Sequence, residues 1–295
     1  MPETNFKSEL SRIAEDVDVI LDGYLPEDLE ASPADVGRYA TIDAGKRLRS
    51  FLTVKIAELL GVPYASALRA GAIVEIVHNF SLIHDDLPCI DNDTLRRGRP
   101  SAWAKFGERN AVLGGDYLLN IAYKILATDE RITADAATRL KLVYALSDAT
   151  DGMLMGEWMD CEAETGRFGT HPEVDQIQTL KTGRIFMAAA NFAIILGAPS
   201  ADERAALEKF IAAMGLCFQI TDDILDAEGV QDKVGKTLRK DAAANKATYI
   251  SLFGLEYAKK KAMELAEGAK SALAVFGTKA SLLLELMDYM VVRDN

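Results

Sequence analysis

Two groups of aspartates dominate the chemistry this sequence could perform. The first closes the run His78-Asn79-Phe80-Ser81-Leu82-Ile83-His84-Asp85-Asp86-Leu87-Pro88-Cys89-Ile90-Asp91, and three arginines, Arg96, Arg97 and Arg99, follow within eight residues. Upstream, Ile73, Val74, Ile76, Val77, Phe80, Leu82 and Ile83 recur at helical spacing, so Asp85 and Asp86 arrive near the C-terminal end of a largely buried helix. That end carries partial negative charge, and acids there repel it and one another unless a cation sits on them. Asp85 and Asp91 are too far apart in register, at about 100° per residue, to share one face of a straight helix. Pro88 resolves this by ending or kinking the helix, so that the chain folds back and brings Asp91 towards Asp85. Carboxylates followed at once by guanidinium groups suit a magnesium ion with a phosphate-bearing ligand, since magnesium keeps water and phosphate oxygens and arginine grips phosphate bidentately.

The second group is Gln219, Asp222, Asp223 and Asp226, spaced i, i+3, i+4 and i+7 as one stripe of an otherwise apolar helix. Polar groups stacked in such a helix are costly unless satisfied. Two clusters of this kind on separate helices point to divalent metal binding over a solvated acidic surface.

The elements that must position these residues are helical almost everywhere, with strand-like alternation almost nowhere. The periodicity predicts helices over about Phe6–Leu21, Ala34–Leu60, a third carrying the first acidic run, Asn110–Ala127, Thr133–Glu164, Val174–Leu196, Ala201–Asp226, Asn245–Phe276 with a break at Gly254, and Ser281–Val292. A loop is expected over Gly166–Pro172. The polar, glycine-containing segment Ala227–Ala244 is the candidate for a flap beside the second acidic group. No linker divides the chain, so residues 1–295 are expected to form a single-domain, all-α, antiparallel helical bundle with its function in a deep central cavity.

With 295 residues, 49% of them hydrophobic, the chain has ample core, and its net charge of −12 argues against a nucleic-acid partner, which would need a basic face. Cys89, Cys161 and Cys217 are odd in number and lack metal-ligand spacing, which points to reduced thiols and a cytoplasmic location. The N-terminal residues show no signal-peptide core, and the longest uncharged stretch, between Arg184 and Asp202, reads as a buried helix, so stable membrane insertion is not expected.

These ordered motifs resemble those of the trans-isoprenyl diphosphate synthases, closest to bacterial farnesyl diphosphate synthase. The likeness runs from about Gly45 to Arg293. It implies a fold in which two acidic helices face a deep cavity and hold three magnesium ions against an allylic diphosphate. Asp85 and Asp91 would bind two of the ions and Asp222 the third, with Asp86 and Asp226 in support. The resemblance assigns Lys46, Arg49, His78 and Arg97 to the diphosphate of isopentenyl diphosphate, with Lys46 and Arg49 read as an i, i+3 pair on one helix. It assigns Arg96, Lys181, Thr182, Gln219, Lys236 and Lys246 to the allylic substrate. It also implies a homodimer. Two departures stand out: Ala44-Gly45 and Ser50 replace the usual Gly-Gly and Pro around Lys46-Arg47-Leu48-Arg49, and Glu157 stands where glutamine is common.

The reaction implied is head-to-tail condensation by ionisation, addition and elimination, with the Lys181 carbonyl, Thr182 and Gln219 offering oxygen dipoles to a carbocation and no nucleophile to trap it. Phe80, five residues before Asp85, would set the cavity floor and limit the product to farnesyl diphosphate, with geranylgeranyl diphosphate as the alternative. A terpene cyclase of the same fold would not need the second diphosphate site. A non-catalytic partner subunit would typically lack one of the aspartate groups.

Overall fold

Apolar residues at helical spacing become helices throughout the computed structural model, which describes residues 5–168, 170–228 and 249–292, with backbone only at His171 and Asp226. The elements are α1 (Phe6–Tyr24), α2 (Pro33–Thr41), α3 (Leu48–Leu59), α4 (Tyr64–Asp85), a hairpin of β1 (Leu95–Arg96) and β2 (Arg99–Pro100), α5 (Ala102–Phe106), α6 (Glu108–Thr128) and α7 (Ala136–Glu164). After these come α8 (His171–Gln178), a π-helical turn (Thr179–Gly183), α9 (Arg184–Gly197), α10 (Ala201–Glu228), α11 (Tyr249–Phe253), α12 (Leu255–Ala272), a 3₁₀ segment (Leu273–Ala280) and α13 (Ser281–Val292). The fold is all-α, and the candidate flap from residue 229 to 244 lies outside the described residues, as do Lys236 and Lys246.

The contacts divide the chain into two compact units, residues 1–147 with 188–198, and residues 148–187 with 199–295. In the first unit α4 is the central element: Ala70, Ala72, Ile73, Val74, Ile76 and Val77 are fully buried. A helix apolar on all sides must be wrapped by others, and α1, α3 and α6 pack against it. In the second unit α10 packs chiefly along α12, with Leu207, Phe210, Met214, Cys217 and Ile220 in the core. The helical run Pro172–Gly197 is long and apolar enough to cross a membrane by composition, but half of that window is buried inside the protein.

Three elements depart from the periodicity. The expected helix Ala34–Leu60 is split at 42–47, because Asp43, Gly45 and Arg47 all adopt left-handed backbone (φ 52°, 83° and 53°). Lys46 therefore lies on a turn ahead of α3, and it does not share a helix face with Arg49. The expected helix Val174–Leu196 is interrupted by the π-helical turn, whose one-residue insertion leaves the apolar periodicity intact on either side. The hairpin, which period-2 patterning did not signal, forms around Arg97 and Gly98, both left-handed (φ 53° and 74°), as the tightest two-residue turns require. At Gly254 the expected break is present, with φ 82°.

Candidate active site

In the first unit α4 ends at Asp85, three residues before Pro88, and the chain folds back as the proline requires. The Asp91 N–H donates to the Asp85 carbonyl (2.9 Å), Asn92 N–H to Leu87 (3.0 Å) and Asp93 N–H to Asp86 (3.0 Å). Carbonyl oxygens at and just beyond the helix end thus find donors within one tight turn, and the same bonds carry Asp91 back beside Asp85. Asp85 and Asp91 are half-buried there, whereas Asp86 is buried.

Arg96 is tied into that turn. Its Nε donates to Asp86 Oδ1 (3.0 Å), its Nη2 makes a second, shorter bond to the same carboxylate, and Asp93 lies 3.6 Å away. Burial opposes the charge on Arg96, but Asp86, Asp85 and Asp91 together raise its pKa. The arginine expected to reach the allylic substrate is therefore bonded to the acidic turn itself. Arg97, at the hairpin tip, donates to Asn79 Oδ1 (3.0 Å), and Arg99 stacks over the Tyr39 ring, 4.3 Å from its centroid. Asn79, Asp86, Arg96, Arg97 and Tyr39 line a cleft between α4, the α2 end and the hairpin.

His78 is held neutral, with a pKa well below the imidazole range, first by burial and then by the charges of Arg49, Arg97, Arg96 and Arg47. The charges of four arginines reach this imidazole, although Arg47 and Arg96 are themselves paired with carboxylates. Arg49 and Arg97 thus act on His78 through their charge, while Lys46 is exposed on the adjacent left-handed turn. Arg47, between the two expected cations, turns inward instead: its side chain is fully buried and pairs with Asp18 (2.5 Å) and Glu75 (3.6 Å). Sequence reasoning had no means to distinguish Arg47 from its neighbours, since nothing in the Lys-Arg-Leu-Arg run marks which cation faces inward.

In the second unit, Lys181 and Thr182 sit on the π-helical turn. Lys181 Nζ lies 2.7 Å from both Glu157 Oε2 and Asp160 Oδ2 of α7. The helices approach so closely that a Cβ on Gly156 would fall 2.2 Å from the Lys181 nitrogen. Thr182 Oγ1 donates to Gln219 Oε1 (2.8 Å), and Gln219 Nε2 donates to Asp223 Oδ1 (3.2 Å). Asp223 also accepts from the Tyr249 N–H (3.3 Å), so the protein itself satisfies this buried member of the stripe. Asp222, one position earlier, is half-buried. Asp160 was not singled out by the sequence, although its i, i+3 spacing from Glu157 placed both acids on one helix face.

Among the described residues no three His, Cys, Asp or Glu side chains converge closely enough to enclose an ion. Carboxylate oxygens such as those of Asp85 and Asp91 suit magnesium, which completes its shell with water and ligand oxygens.

The sequence model of a family described as polyprenyl synthetase matches residues 32–275. A farnesyl diphosphate synthase of Bacillus subtilis is 38% identical over 263 residues, 87% of each chain. A chloroplastic geranylgeranyl pyrophosphate synthase of Arabidopsis thaliana is 35% identical, over 99% of this chain and 82% of its own. The crystal structure of an FPP/GFPP synthase from Zymomonas mobilis superposes with a TM-score of 0.87 at 38% identity, covering 98% of this chain and 99% of that one.

Proposed function

The chain belongs to the polyprenyl synthetase family, and from that premise we propose that it joins isopentenyl diphosphate head to tail to an allylic diphosphate, stopping at farnesyl diphosphate. The carrying observation is the fold-back turn that returns Asp91 to Asp85 at the end of α4, with Arg96 bonded to Asp86 in the same turn and Arg97 bonded to Asn79 at the adjoining hairpin tip. Carboxylates for a metal and guanidinium groups for phosphate are the two halves of a diphosphate site.

In this reading Asp85, Asp91 and Asp222 hold magnesium, on which this family depends, with three ions as the expected complement. When bound, magnesium neutralises charge developing on a departing diphosphate. Lys46, Arg49, His78 and Arg97 orient isopentenyl diphosphate, with His78 serving as a neutral hydrogen-bonding group. Arg96 acts through Asp86, keeping the acidic turn folded, and Lys181 supplies a charge to the allylic diphosphate. Lys236 and Lys246 retain their expected roles there. The Thr182 hydroxyl and Gln219 amide, fixed to one another, present oxygen dipoles to the carbocation and offer no strong nucleophile. The released diphosphate takes the final proton.

Product length rests on Phe80, which is buried in α4 and packs edge-on against His84, their ring centroids 4.9 Å apart. An aromatic group fixed in this way supports a short product. Two relatives differ in name over this point, one a farnesyl and one a geranylgeranyl synthase. The test is incubation of purified protein with magnesium, labelled isopentenyl diphosphate and geranyl diphosphate, followed by chromatography of the dephosphorylated alcohols. Farnesol is expected; no elongation refutes the reading, and geranylgeraniol refutes the product. Phe80→Ala should lengthen the products, and an unchanged distribution removes Phe80 as the floor.

A homodimer is part of the proposal. Leu140, Tyr144, Leu154, Met155 and Trp158 recur at helical spacing and are exposed on α7, an apolar stripe that a second copy would cover. None of Cys89, Cys161 and Cys217 is in a disulfide, which supports a reducing cytoplasmic location.

A further inference from the structure

The Lys181 ammonium is shared by two carboxylates from one face of α7. Glu157 Oε2 and Asp160 Oδ2 each lie 2.7 Å from its Nζ, and the two acids are largely buried, with side chains 12% and 15% exposed. Charge-assisted hydrogen bonds of this length are among the stronger side-chain interactions. One carboxylate balances one ammonium; two leave the trio with a net negative charge. The clamp is stiff at both ends. Glu157 and Asp160 belong to the continuous helix α7, and Lys181 belongs to a π-helical turn pressed against Gly156.

We propose that Glu157 is a positioning residue that holds Lys181 back from anionic ligands, acting as an internal competitor for its ammonium. The inference rests on the proposed diphosphate role of Lys181. A ligand phosphate recruiting this lysine must displace or share a carboxylate already bonded to it, so Glu157 weakens binding of substrate and of diphosphate product alike. The benefit is a parked cation with a defined position in the empty protein and easier release afterwards.

The test is calorimetric titration of the full-length wild-type protein, Glu157→Gln, Glu157→Asp and Lys181→Met with inorganic diphosphate and magnesium, beside steady-state kinetics with geranyl diphosphate. Glu157→Gln, which is isosteric and neutral, should tighten diphosphate binding by about five- to tenfold, less than the full worth of a charge-assisted hydrogen bond because the amide oxygen still accepts from Nζ. The KM for geranyl diphosphate should fall by a similar factor. In a Lys181→Met background the same substitution should change neither quantity. Glu157→Asp keeps the charge but shortens the reach, so it should tighten binding as Glu157→Gln does; a mere reduction of the local negative field would leave it like wild type. Unchanged or weaker binding in Glu157→Gln overturns the inference, as does equal tightening without Lys181, or a wild-type-like Glu157→Asp. If the wild-type protein elongates geranyl diphosphate and the variants do not differ, only this inference fails. If the wild-type protein does not elongate it, the proposed function fails first.

Discussion

Replacing Gly156 by alanine tests whether α7 sets the position of the π-helical turn. The added Cβ would stand 2.2 Å from Lys181 N and 2.7 Å from both Leu180 C and Lys181 Cα, where ordinary contact begins near 3.4 Å. All three obstacles are backbone, so no side chain can rotate away, and the two segments must part by about 1 Å. Overpacking of this kind costs about 1–3 kcal/mol, which lowers the melting temperature by about 2–5 °C in a protein of this size. The larger effect should fall on catalysis. Lys181 and Thr182 ride on the displaced turn, and Thr182 anchors Gln219, so a shift near 1 Å should cost kcat about 100-fold. Differential scanning calorimetry and the labelled isopentenyl diphosphate assay measure the two effects on the same preparation. Gly268→Ala is the internal control: nothing stands within 4 Å of its would-be Cβ in α12, so it should raise stability by about 0.5–1 kcal/mol and leave kcat alone. A Gly156→Ala protein with wild-type melting and turnover would show that the close approach does not fix Lys181, and the positional argument would have to be abandoned.

Substituting Asp85→Asn or Asp222→Asn should lower kcat by at least about 100-fold with the circular dichroism spectrum unchanged, and chelation of divalent ions should abolish wild-type turnover until magnesium is restored. Retained activity in either variant would count against that residue as a metal ligand. Far from the site, the Arg12 hydrogen bonds, joined by Lys55 and opposed by burial, hold Glu9 down at about 2, below its ordinary 4.5. A depressed carboxylate stabilises the fold above the unfolded value and loses that contribution as pH falls from about 4.5 towards 2. Glu9→Gln should therefore flatten the pH dependence of the melting temperature across that window, and an unchanged slope would show that the Glu9 network carries no folding linkage.

What could be read in advance was whatever the chain settles locally. Pro88 dictated the end of α4, and the return of Asp91 to Asp85 follows because that proline leaves carbonyls in need of donors within a few residues. The stripe from Gln219 to Asp223 was legible for a similar reason, since an uninterrupted helix fixes the spacing of its own side chains. The turn that carries Lys46 was not. Residues 34–60 keep an apolar rhythm throughout, and the break depends on left-handed backbone at Asp43, Gly45 and Arg47, where glycine was the single strong cue. The π-helical turn was hidden more completely, because one inserted residue rotates the following helix without disturbing the periodicity on either side.

The same contrast bears on which aspartates serve the chemistry. Each acidic group contains one carboxylate that the protein uses for its own architecture: Asp86 is buried against Arg96, and Asp223 is buried against Gln219 and the Tyr249 N–H. Asp85, Asp91 and Asp222 are half-buried, so their surroundings still reach solvent. A magnesium ion needs carboxylates that open onto water and ligand oxygens, and it also needs those carboxylates held still. Both demands are met when adjacent residues divide the work, one locking the helix end or helix pair while its neighbour stays partly open to solvent. On the proposed assignment of Asp85, Asp91 and Asp222 to magnesium, the paired aspartates at both places divide support from ligation, and the bond of Arg96 to Asp86 belongs to the support. A protein that turned Asp86 and Asp223 outward as well would gain acidity at the site and lose the rigidity that makes that acidity useful.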